Sequence, residues 1–257
     1  MKVILPCAGY GTRLDKEISN GLPKHLLPVC GQPVLEYTLM QLDAMSEVDK
    51  VYLVTNEVFY KNFDEYLSTS RFGNKVVLVN NRSTSNENRL GTIGDITSII
   101  VGGRFSDDVM VILADNLYDF RLDEALDTFR SFTPRIPLVV SYDMNDIEKV
   151  RKLGVLVHDE KKIILEFEEK PENPRSTLAS TGIYIFPRNM LHRFTEYSNL
   201  SNGNLIGLDR MGDFIKWLVD SGKVVTHVYS SEKYKWLDIG TRETYEEAQR
   251  IWANKPT

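Results

Sequence analysis

A loop of small residues follows the first apolar run of the chain and is a candidate phosphate-binding loop. The run Lys2–Leu5 continues into the sequence PCAGYGTRL at positions 6–14. Small residues let backbone N–H groups approach an anion closely. We expect four of them to contact the phosphates of a nucleotide, namely Ala8, Gly9, Gly11 and Thr12. The motifs of dinucleotide-binding proteins and of P-loops are not satisfied, and an ordinary glycine turn is the alternative interpretation.

Two basic residues flank this loop and could neutralise a polyphosphate. Arg13 lies near its end, and Lys24 follows in the sequence LPKHLLP at positions 22–28. Two cations beside a glycine-containing loop suit a nucleoside triphosphate, because phosphoryl chemistry needs positive charge around the reacting phosphates. We therefore predict that Arg13 and Lys24 are catalytic, and solvated basic side chains are the alternative.

Two aspartates that are far apart in the sequence are candidate magnesium ligands. Asp115 follows the apolar run Val109–Leu113, and Asp238 lies in the sequence WLDIGT at positions 236–241, where Thr241 can cap a closing helix. Mg²⁺ takes hard oxygen ligands, often one or two protein carboxylates with substrate phosphates and water. Each aspartate alone has a structural alternative, an Asx turn for Asp115 and a helix-entry turn for Asp238.

A charged cluster in the second half of the chain is a further candidate site. The sequence EEKP occupies positions 168–171, where the fixed φ of proline stiffens the chain. The Glu169 carboxylate can accept hydrogen bonds from two hydroxyl groups, and Lys170 offers a point charge to a monophosphate. Gly154 and a turn at Ser180-Thr181-Gly182 are expected to give close backbone contact. The alternative is an exposed strand end whose charges are solvated.

Alternating strands and helices must hold these groups at one edge of a sheet. Runs rich in Val, Ile and Leu predict buried strands at Lys2–Leu5, Val51–Thr55, Val76–Val79, Val109–Leu113 and Leu138–Ser141. Amphipathic segments predict crossover helices at Pro33–Met45, Val58–Leu67, Thr92–Val101 and Leu122–Phe132. This order predicts an α/β fold with a doubly wound, mostly parallel sheet, whose ligands bind beyond the carboxyl ends of the strands.

The pattern changes after about residue 150 and predicts a mixed arrangement. Strands are expected at Leu153–Val157, Ile163–Phe167, Gly182–Phe186 and Val224–Tyr229. Helices are expected at Arg188–Tyr197, Asp209–Ser221 and from Thr241 to about Trp252. We interpret residues 1–257 as a single domain, in which 1–150 form a nucleotide-binding half and 151–257 a smaller, lobe-like half.

The composition excludes several functions. The 257 residues carry 31 basic and 36 acidic side chains, a net charge of −5, so we expect neither nucleic acid nor a membrane as a partner. Cys7 and Cys30 are too few for a disulfide framework, and no run approaches the length of a membrane span, which favours a cytoplasmic location. The four histidines are scattered, so a histidine metal site is not expected.

The opening motifs resemble those of the sugar-phosphate nucleotidyltransferases. That family begins with a strand, GxGTRL and PKxLLPV, and then a K/Q-P pair, which correspond here to Gly9–Leu14, Pro23–Val29 and Gln32-Pro33. The resemblance implies a Rossmann-like mixed sheet with a small sugar-binding lobe. It also implies a nucleoside triphosphate and a sugar 1-phosphate as partners, and it allows a homo-oligomer.

Two later motifs extend the resemblance to the acidic residues. The family has G-D-N and W-x-D-x-G-T, matched at Asp115 and Asp238, although Ala114 replaces the first glycine. The resemblance implies that both aspartates bind magnesium. The family also has an E-E-K-P segment followed by T-G-x-Y-x-F, which implies that Glu169 and Lys170 hold the sugar and its phosphate, with Gly154 and Ser180 beside them.

The nucleotide-recognition segment of the family matches least well. Residues 80–90 form a longer stretch with four asparagines, and Asp95 stands where the family has a small residue. We assign Asn81, Gly91 and Thr92 to nucleotide binding, although asparagine also favours turns. The asparagine-rich stretch resembles choline-phosphate and polyol-phosphate cytidylyltransferases too, but those relatives lack both the EEKP and the WxDxGT motifs.

These residues together predict a Mg²⁺-dependent nucleotidyltransferase that makes an NDP-sugar and pyrophosphate. A cytidylyltransferase acting on choline or polyol phosphate is one alternative. A second is an inactive nucleotide-sugar-binding regulatory protein, which the departures at Ala114 and Asp95 suggest. A glycosyltransferase would need a D-x-D pair, and Leu117 stands two places after Asp115.

Overall fold

The computed structural model describes residues 1–11, 16–103, 105–200 and 209–254. In chain order the strands are β1 (Lys2–Pro6), β2 (Pro28–Val29), β3 (Gln32–Pro33), β4 (Lys50–Thr55), β5 (Val76–Asn80), β6 (Val109–Ile112), β7 (Asn116–Tyr118), β8 (Leu138–Asp143), β9 (Gly154–His158), β10 (Ile164–Glu169), β11 (Leu178–Phe186), β12 (Val225–Ser230) and β13 (Trp236–Asp238). The α-helices are α1 (Lys16–Ser19), α2 (Val34–Ala44), α3 (Tyr60–Thr69), α4 (Gly91–Gly103), α5 (Leu122–Ser131), α6 (Ile147–Val150), α7 (His192–Leu200), α8 (Met211–Ser221) and α9 (Arg242–Trp252). Short 3₁₀ helices lie at Lys24–Leu26 and Arg188–Met190.

A nine-stranded mixed sheet runs through both halves of the described chain. Strands β6, β1, β4 and β5 lie side by side and parallel, as a doubly wound fold requires. The long strand β11 continues the sheet antiparallel to β6 and also pairs with β8 and β9. The carboxyl ends of β1, β4, β5 and β6 therefore meet at one edge, which agrees with the predicted α/β class.

The helices cover both faces of the sheet because alternate strand residues point to opposite sides. On β1, Val3 and Leu5 pack in one apolar cluster with side chains of α2, α3 and α5. Ile4 belongs to a second cluster, which contains side chains of α4, α7 and α8. Both faces of β1 are fully buried, which explains its continuous apolar sequence. No helix in the described ranges combines the length and the apolar character that crossing a membrane requires.

A small two-stranded ribbon of β7 and β13 lies outside the main sheet. It pairs Tyr118 with Trp236 and Asn116 with Asp238 in antiparallel register. Helix α9 packs on this ribbon through a third apolar cluster that includes Leu117, Ile239 and Trp252. Thr241 caps α9 by accepting a hydrogen bond from the backbone N–H of Thr244, as predicted. The ribbon thus brings the end of the chain back to the residues that follow β6.

The predicted elements of the first half are confirmed in type, with ends that differ by no more than two residues. The predicted burial of Val76–Val79 is wrong, because β5 lies at the edge of the sheet and is only partly buried. In the second half the predicted turn at Ser180-Thr181-Gly182 is wrong. These residues lie inside β11, whose register with β8 shifts between Ser180 and Ile183. Gly182 has a φ of +79°, so the chain bulges without leaving the sheet. The predicted helix Arg188–Tyr197 is a 3₁₀ turn followed by α7.

Candidate active site

A cleft of about 230 Å³ opens where the carboxyl edge of the sheet meets the β7–β13 ribbon and the start of α8. Seven of the residues singled out in the sequence line it, namely Thr92, Asp115, Gly154, Glu169, Lys170, Ser180 and Asp238. They come from six different segments of the chain. The fold therefore gathers all the candidate groups of the second half, and two from the first half, around one space.

Asp115 and Asp238 are neighbours in this cleft although 123 positions separate them. Asn116, directly after Asp115, is paired with Asp238 in the ribbon, and the Ile239 N–H donates to the Asp115 carbonyl oxygen at 2.9 Å. The backbone ladder fixes this approach, so it does not depend on side-chain rotamers. Both carboxylates line the same wall of the cleft.

The Lys24 ammonium forms an ion pair with the Asp115 carboxylate, and both side chains are mostly buried. Burial is the largest influence on the pKa of Asp115 and would raise it, but the Lys24 charge and hydrogen bond, together with smaller favourable interactions, hold that pKa below its ordinary value. The neighbouring His25 is fully enclosed, and burial together with the Lys24 charge lowers its pKa to about 3. The 3₁₀ turn Lys24–Leu26 therefore presents one cation and one neutral imidazole to this region.

Glu169 is held in the cleft by two glycines that approach it closely. A Cβ atom at Gly212 would lie 2.1 Å from Glu169 Oε2, and one at Gly154 would lie 3.1 Å from the same atom. Only glycine leaves room for the carboxylate between these two segments. Burial raises the pKa of Glu169, and the charges of Lys170 and Arg210 offset only part of that effect.

Lys170 adopts an unusual backbone conformation directly after β10. Its φ is +54°, in the left-handed region that non-glycine residues seldom occupy. Its N–H donates to the Leu153 carbonyl oxygen at 2.9 Å, which fixes this conformation. The ammonium lies 3.8 Å from the Glu169 carboxylate and is half exposed, so it is available at the mouth of the cleft.

The glycine-containing loop lies at the carboxyl end of β1, beside the cleft rather than in its lining. Ala8 is anchored because the buried Asn56 donates a hydrogen bond of 2.9 Å to its carbonyl oxygen. Cβ atoms at Gly9 and Gly11 would meet no atom of the described residues within 4 Å. Thr12 and Arg13 lie outside the described residues, and their assigned roles stay predictions.

Asn81 and Gly91 also lie outside the cleft lining, at the carboxyl end of β5 and the start of α4. The Asn81 amide donates to the Asp95 carboxylate at 2.8 Å, and its oxygen accepts from the N–H and hydroxyl of Ser83. The Tyr10 hydroxyl donates to Ser83, so this chain of bonds reaches the glycine-containing loop. Burial raises the pKa of Asp95 to about 6. The side chain of Asn81 thus uses most of its hydrogen-bonding groups on Asp95 and Ser83.

Sequence reasoning missed several groups that line the cleft. Trp236 Nε1 and Asn116 Oδ1 are buried, and neither has a hydrogen-bond partner among the described residues. A donor and an acceptor without partners in one cleft can satisfy a hydroxyl group, which both donates and accepts. Lys152 and Arg210 add positive charge to the lining. In the sequence, the only sign of these groups was that Trp236 lies two positions before the predicted metal ligand Asp238. Nothing in the sequence indicated Lys152.

The two aspartates fit a divalent cation. They are hard oxygen donors brought together by the backbone at the edge of a cleft that also contains cationic side chains. Within the part of the chain that the structure describes, no three acidic, histidine or cysteine side chains converge on one point. Oxygen atoms of a phosphorylated substrate and of water would therefore complete the coordination of such an ion.

The fold and this site are those of the α/β proteins in which a cleft opens at the carboxyl edge of a mixed sheet. The Nucleotidyl transferase family profile matches residues 2–255. The chain therefore belongs to the nucleotidyl transferase family, which confirms the resemblance of its motifs.

Individual relatives agree with this assignment. The "Putative mannose-1-phosphate guanyltransferase" of Sulfolobus acidocaldarius is 31% identical over 246 residues, which cover 95% of this chain and 61% of that protein. The "UTP--glucose-1-phosphate uridylyltransferase" of Synechocystis sp. is 28% identical, with 97% and 63% covered. This chain thus spans about three fifths of the length of these curated relatives.

Solved structures share the fold. The crystal structure of a "Putative Glucose-1-Phosphate Thymidylyltransferase" from Bacillus anthracis in complex with sucrose aligns with a TM-score of 0.82. The alignment covers 100% of this chain and 97% of that one, at 22% sequence identity. At this identity the likeness confirms the α/β fold with its Rossmann-like mixed sheet.

Proposed function

We propose that this chain transfers a nucleotidyl group from a nucleoside triphosphate to a sugar 1-phosphate and uses Mg²⁺ as its cofactor. The observation that supports this most is the pairing of β7 with β13, which sets Asp115 beside Asp238 in the cleft that Glu169 and Lys170 also line. Two carboxylates that can bind a metal ion thus lie next to Lys170, which can bind an anion, and Glu169, which can bind hydroxyl groups. In this proposal 1–257 act as one domain, with the nucleotide on the side of 1–150.

The proposed reaction exchanges one phosphoanhydride bond for another. A phosphate oxygen of the sugar 1-phosphate attacks the α-phosphorus of the triphosphate, and the bond from that phosphorus to the oxygen bridging the β-phosphorus breaks. Pyrophosphate leaves with the electron pair, and no covalent bond to the protein is needed. The main task of the protein is to hold two anions together against their repulsion.

Each group in the cleft has a role that follows from its chemistry. Lys24 neutralises charge on the triphosphate, and Arg13 is expected to share this role. Lys170 contacts the phosphate of the acceptor, while Glu169 accepts hydrogen bonds from sugar hydroxyls. When bound, Mg²⁺ would be held by Asp115 and Asp238 and would polarise phosphoryl oxygens.

A pyrophosphate-release panel tests the proposal. The names of the relatives indicate which substrate pairs to test first. These are GTP with mannose 1-phosphate, and UTP or dTTP with glucose 1-phosphate. We expect pyrophosphate release with one of these substrate pairs in the presence of Mg²⁺, and no release in the presence of EDTA. The Asp115→Asn variant, purified in the same way, controls for contaminating enzymes.

Other outcomes distinguish the alternatives. Release only with CTP and choline phosphate or a polyol phosphate would favour the cytidylyltransferase. Calorimetric binding of a nucleotide sugar without pyrophosphate release from any pair would favour a non-catalytic binding protein. Either result would overturn the proposed reaction.

A further inference from the structure

The asparagine-rich loop, residues 80–90, directs its amide oxygens inward. Each of its four asparagines accepts a hydrogen bond through its side-chain oxygen from a residue of the same loop. Asn88, for example, accepts from the N–H groups of Thr84 and Ser85, both at 3.0 Å. The asparagines therefore build the turns of this loop, as short amide side chains commonly do.

Arg89 makes a long-range contact from this loop. Its Nε donates to Asp209 Oδ1 at 3.0 Å and its Nη2 to Asp209 Oδ2 at 2.9 Å. Its Nη1 donates to the carbonyl oxygen of Asn86 at 2.9 Å, so the guanidinium is fixed within its own loop. A two-point bond of this kind defines both distance and orientation. It links parts of the chain that are 120 residues apart.

Asp209 begins the segment that shapes the wall of the cleft next to Glu169. Residues 209–212 all line the cleft. Arg210 forms an ion pair with Asp213 at 3.3 Å, and Gly212 is the residue that packs against the Glu169 carboxylate. A shift of this segment would therefore open or close the space around Glu169.

We propose that Arg89 is a positioning residue: through Asp209, it holds the segment 209–212 against Glu169 and so sets the affinity for the sugar phosphate. The inference rests on the proposed function for the identity of that ligand. Arg89 belongs to the loop next to the nucleotide side, so the pair joins the two substrate sides of the site. The asparagine-rich loop then acts as a rigid support for Arg89.

The test compares four variants with the wild type, using the substrate pair that releases pyrophosphate fastest. In Arg89→Met and Asp209→Asn the KM for the sugar phosphate should rise about fivefold or more, with a smaller change in the KM for the triphosphate. The double variant should show no larger rise than either single one, because both remove the same contact. Arg89→Lys should recover part of the affinity, because a lysine keeps the charge without the two-point geometry.

Arg130→Met is the matched control. Arg130 pairs with Glu47 at 3.0 Å, and this pair is as exposed as Arg89 and Asp209. It lies on α5, away from the lining of the cleft, so its loss should leave both KM values unchanged. A general effect of removing a surface arginine would appear equally in this variant.

Hydrogen–deuterium exchange separates this inference from the proposed reaction. Amides of residues 209–221 should exchange faster in Arg89→Met than in the wild type and in Arg130→Met. Unchanged exchange, or KM effects of Arg89→Met and Asp209→Asn that multiply in the double variant, would overturn the positioning role. A wild type without turnover on any substrate pair would refute the proposed function, and exchange would still decide whether Arg89 holds the segment.

Discussion

Two lysine–carboxylate pairs in the site have opposite electrostatic characters. Lys24 and Asp115 are in direct contact, and their side chains are only 16% and 17% exposed. Lys170 lies 3.8 Å from Glu169 and is 49% exposed, whereas Glu169 is 17% exposed. The pKa of Asp115 is held below its ordinary value, and the pKa of Glu169 is raised.

The difference shows that burial alone does not decide the charge of a carboxylate. Desolvation opposes ionisation in both cases, and at Asp115 a close, equally buried cation together with hydrogen bonds outweighs it. A metal ligand must stay ionised, which the Lys24–Asp115 contact favours. A hydroxyl acceptor can tolerate a weaker partner, which leaves the Lys170 charge free for a phosphate.

The largest effect is expected from removing the charge of Asp115. Asp115→Asn keeps the size of the side chain but loses a hard anionic oxygen. A bound divalent ion supplies several kcal/mol of charge stabilisation, so turnover should fall about 10³-fold. Steady-state pyrophosphate release measures this. Asp123→Asn, which affects an exposed pair with Arg121, should retain wild-type turnover. Comparable losses in both variants would contradict the assignment.

The two lysines offer a matched comparison between the pairs. Lys24→Met should lower kcat roughly 10²-fold, as losses of one transition-state donor do. Lys170→Met should instead raise the KM for the sugar phosphate roughly tenfold, because a charged hydrogen bond contributes about 1.5 kcal/mol. Kinetics with each substrate varied in turn separate kcat from KM. Identical patterns in the two variants would show that the pairs do not divide the work in this way.

Gly212 tests the packing around Glu169. In Gly212→Ala the new methyl group would lie 2.1 Å from Glu169 Oε2 and must displace the carboxylate. Misplacement of about 1 Å can cost up to about 10²-fold, so kcat/KM for the sugar phosphate should fall at least about tenfold. Gly222→Ala is the control at the other end of α8, where the nearest atom is 3.8 Å away. A normal kcat/KM for Gly212→Ala would refute this packing role.

The two pairs should respond differently to acid. The raised pKa of Glu169 means that this carboxylate takes up a proton at a higher pH than an ordinary glutamate. As pH falls, the KM for the sugar phosphate should therefore rise first. The kcat should decline only at lower pH, where the Asp115 carboxylate takes up a proton. Measurements of KM and kcat between pH 8 and pH 5 test the order. Glu169→Gln should give a high KM that keeps only the pH dependence of the sugar phosphate itself, whose second pKa is about 6. A dependence as large as that of the wild type would assign it to another group.

A further effect is expected in stability rather than turnover. His25 has its pKa lowered to about 3 by burial, so the unfolded chain binds a proton more readily below the ordinary value of 6.5. Stability is therefore lost as pH falls through this window, by about 2 kcal/mol at pH 5. In urea unfolding, the free energy of unfolding of His25→Gln should fall less between pH 7 and pH 5 than that of the wild type.

Asp95 provides the opposite sign for the same experiment. Its pKa is raised to about 6, so the folded chain binds the extra proton between pH 6 and the ordinary value of 3.8. This contribution to stability grows as pH falls through 6. Asp95→Asn should therefore steepen the acid-induced loss that His25→Gln reduces. Parallel changes in the two variants would contradict one of the two assignments, and their common direction would show which.

Local patterns predicted much of the fold and part of the site. The apolar runs located β1 and β4, because strands buried on both faces need continuous apolar sequence. They also located β5, although this strand lies at the edge of the sheet and is only partly buried. The motif around Asp238 correctly indicated the cap at Thr241, since N-caps depend on a few adjacent residues. The turn expected at Ser180–Gly182 was wrong because a bulge depends on the register of a neighbouring strand, β8.

The asparagine-rich loop shows where such reasoning stops. Its composition allowed either base recognition or turn formation, and sequence could not choose between them. The hydrogen bonds within residues 80–90, and the contact of Arg89 with Asp209, favour turn formation. Partners separated by 120 residues leave no local pattern, because their contact depends on how the whole chain folds.

The sequence by itself determined the order of strands and helices, the loop of small residues after β1 and the presence of two aspartates in distinctive motifs. Only the tertiary structure decided that a β7–β13 ladder sets those aspartates side by side, and that Lys24 contacts one of them while Lys170 stands apart from Glu169. Backbone preferences act over a few residues. Distances between charges, and the burial that sets their strength, exist only after distant segments have packed together.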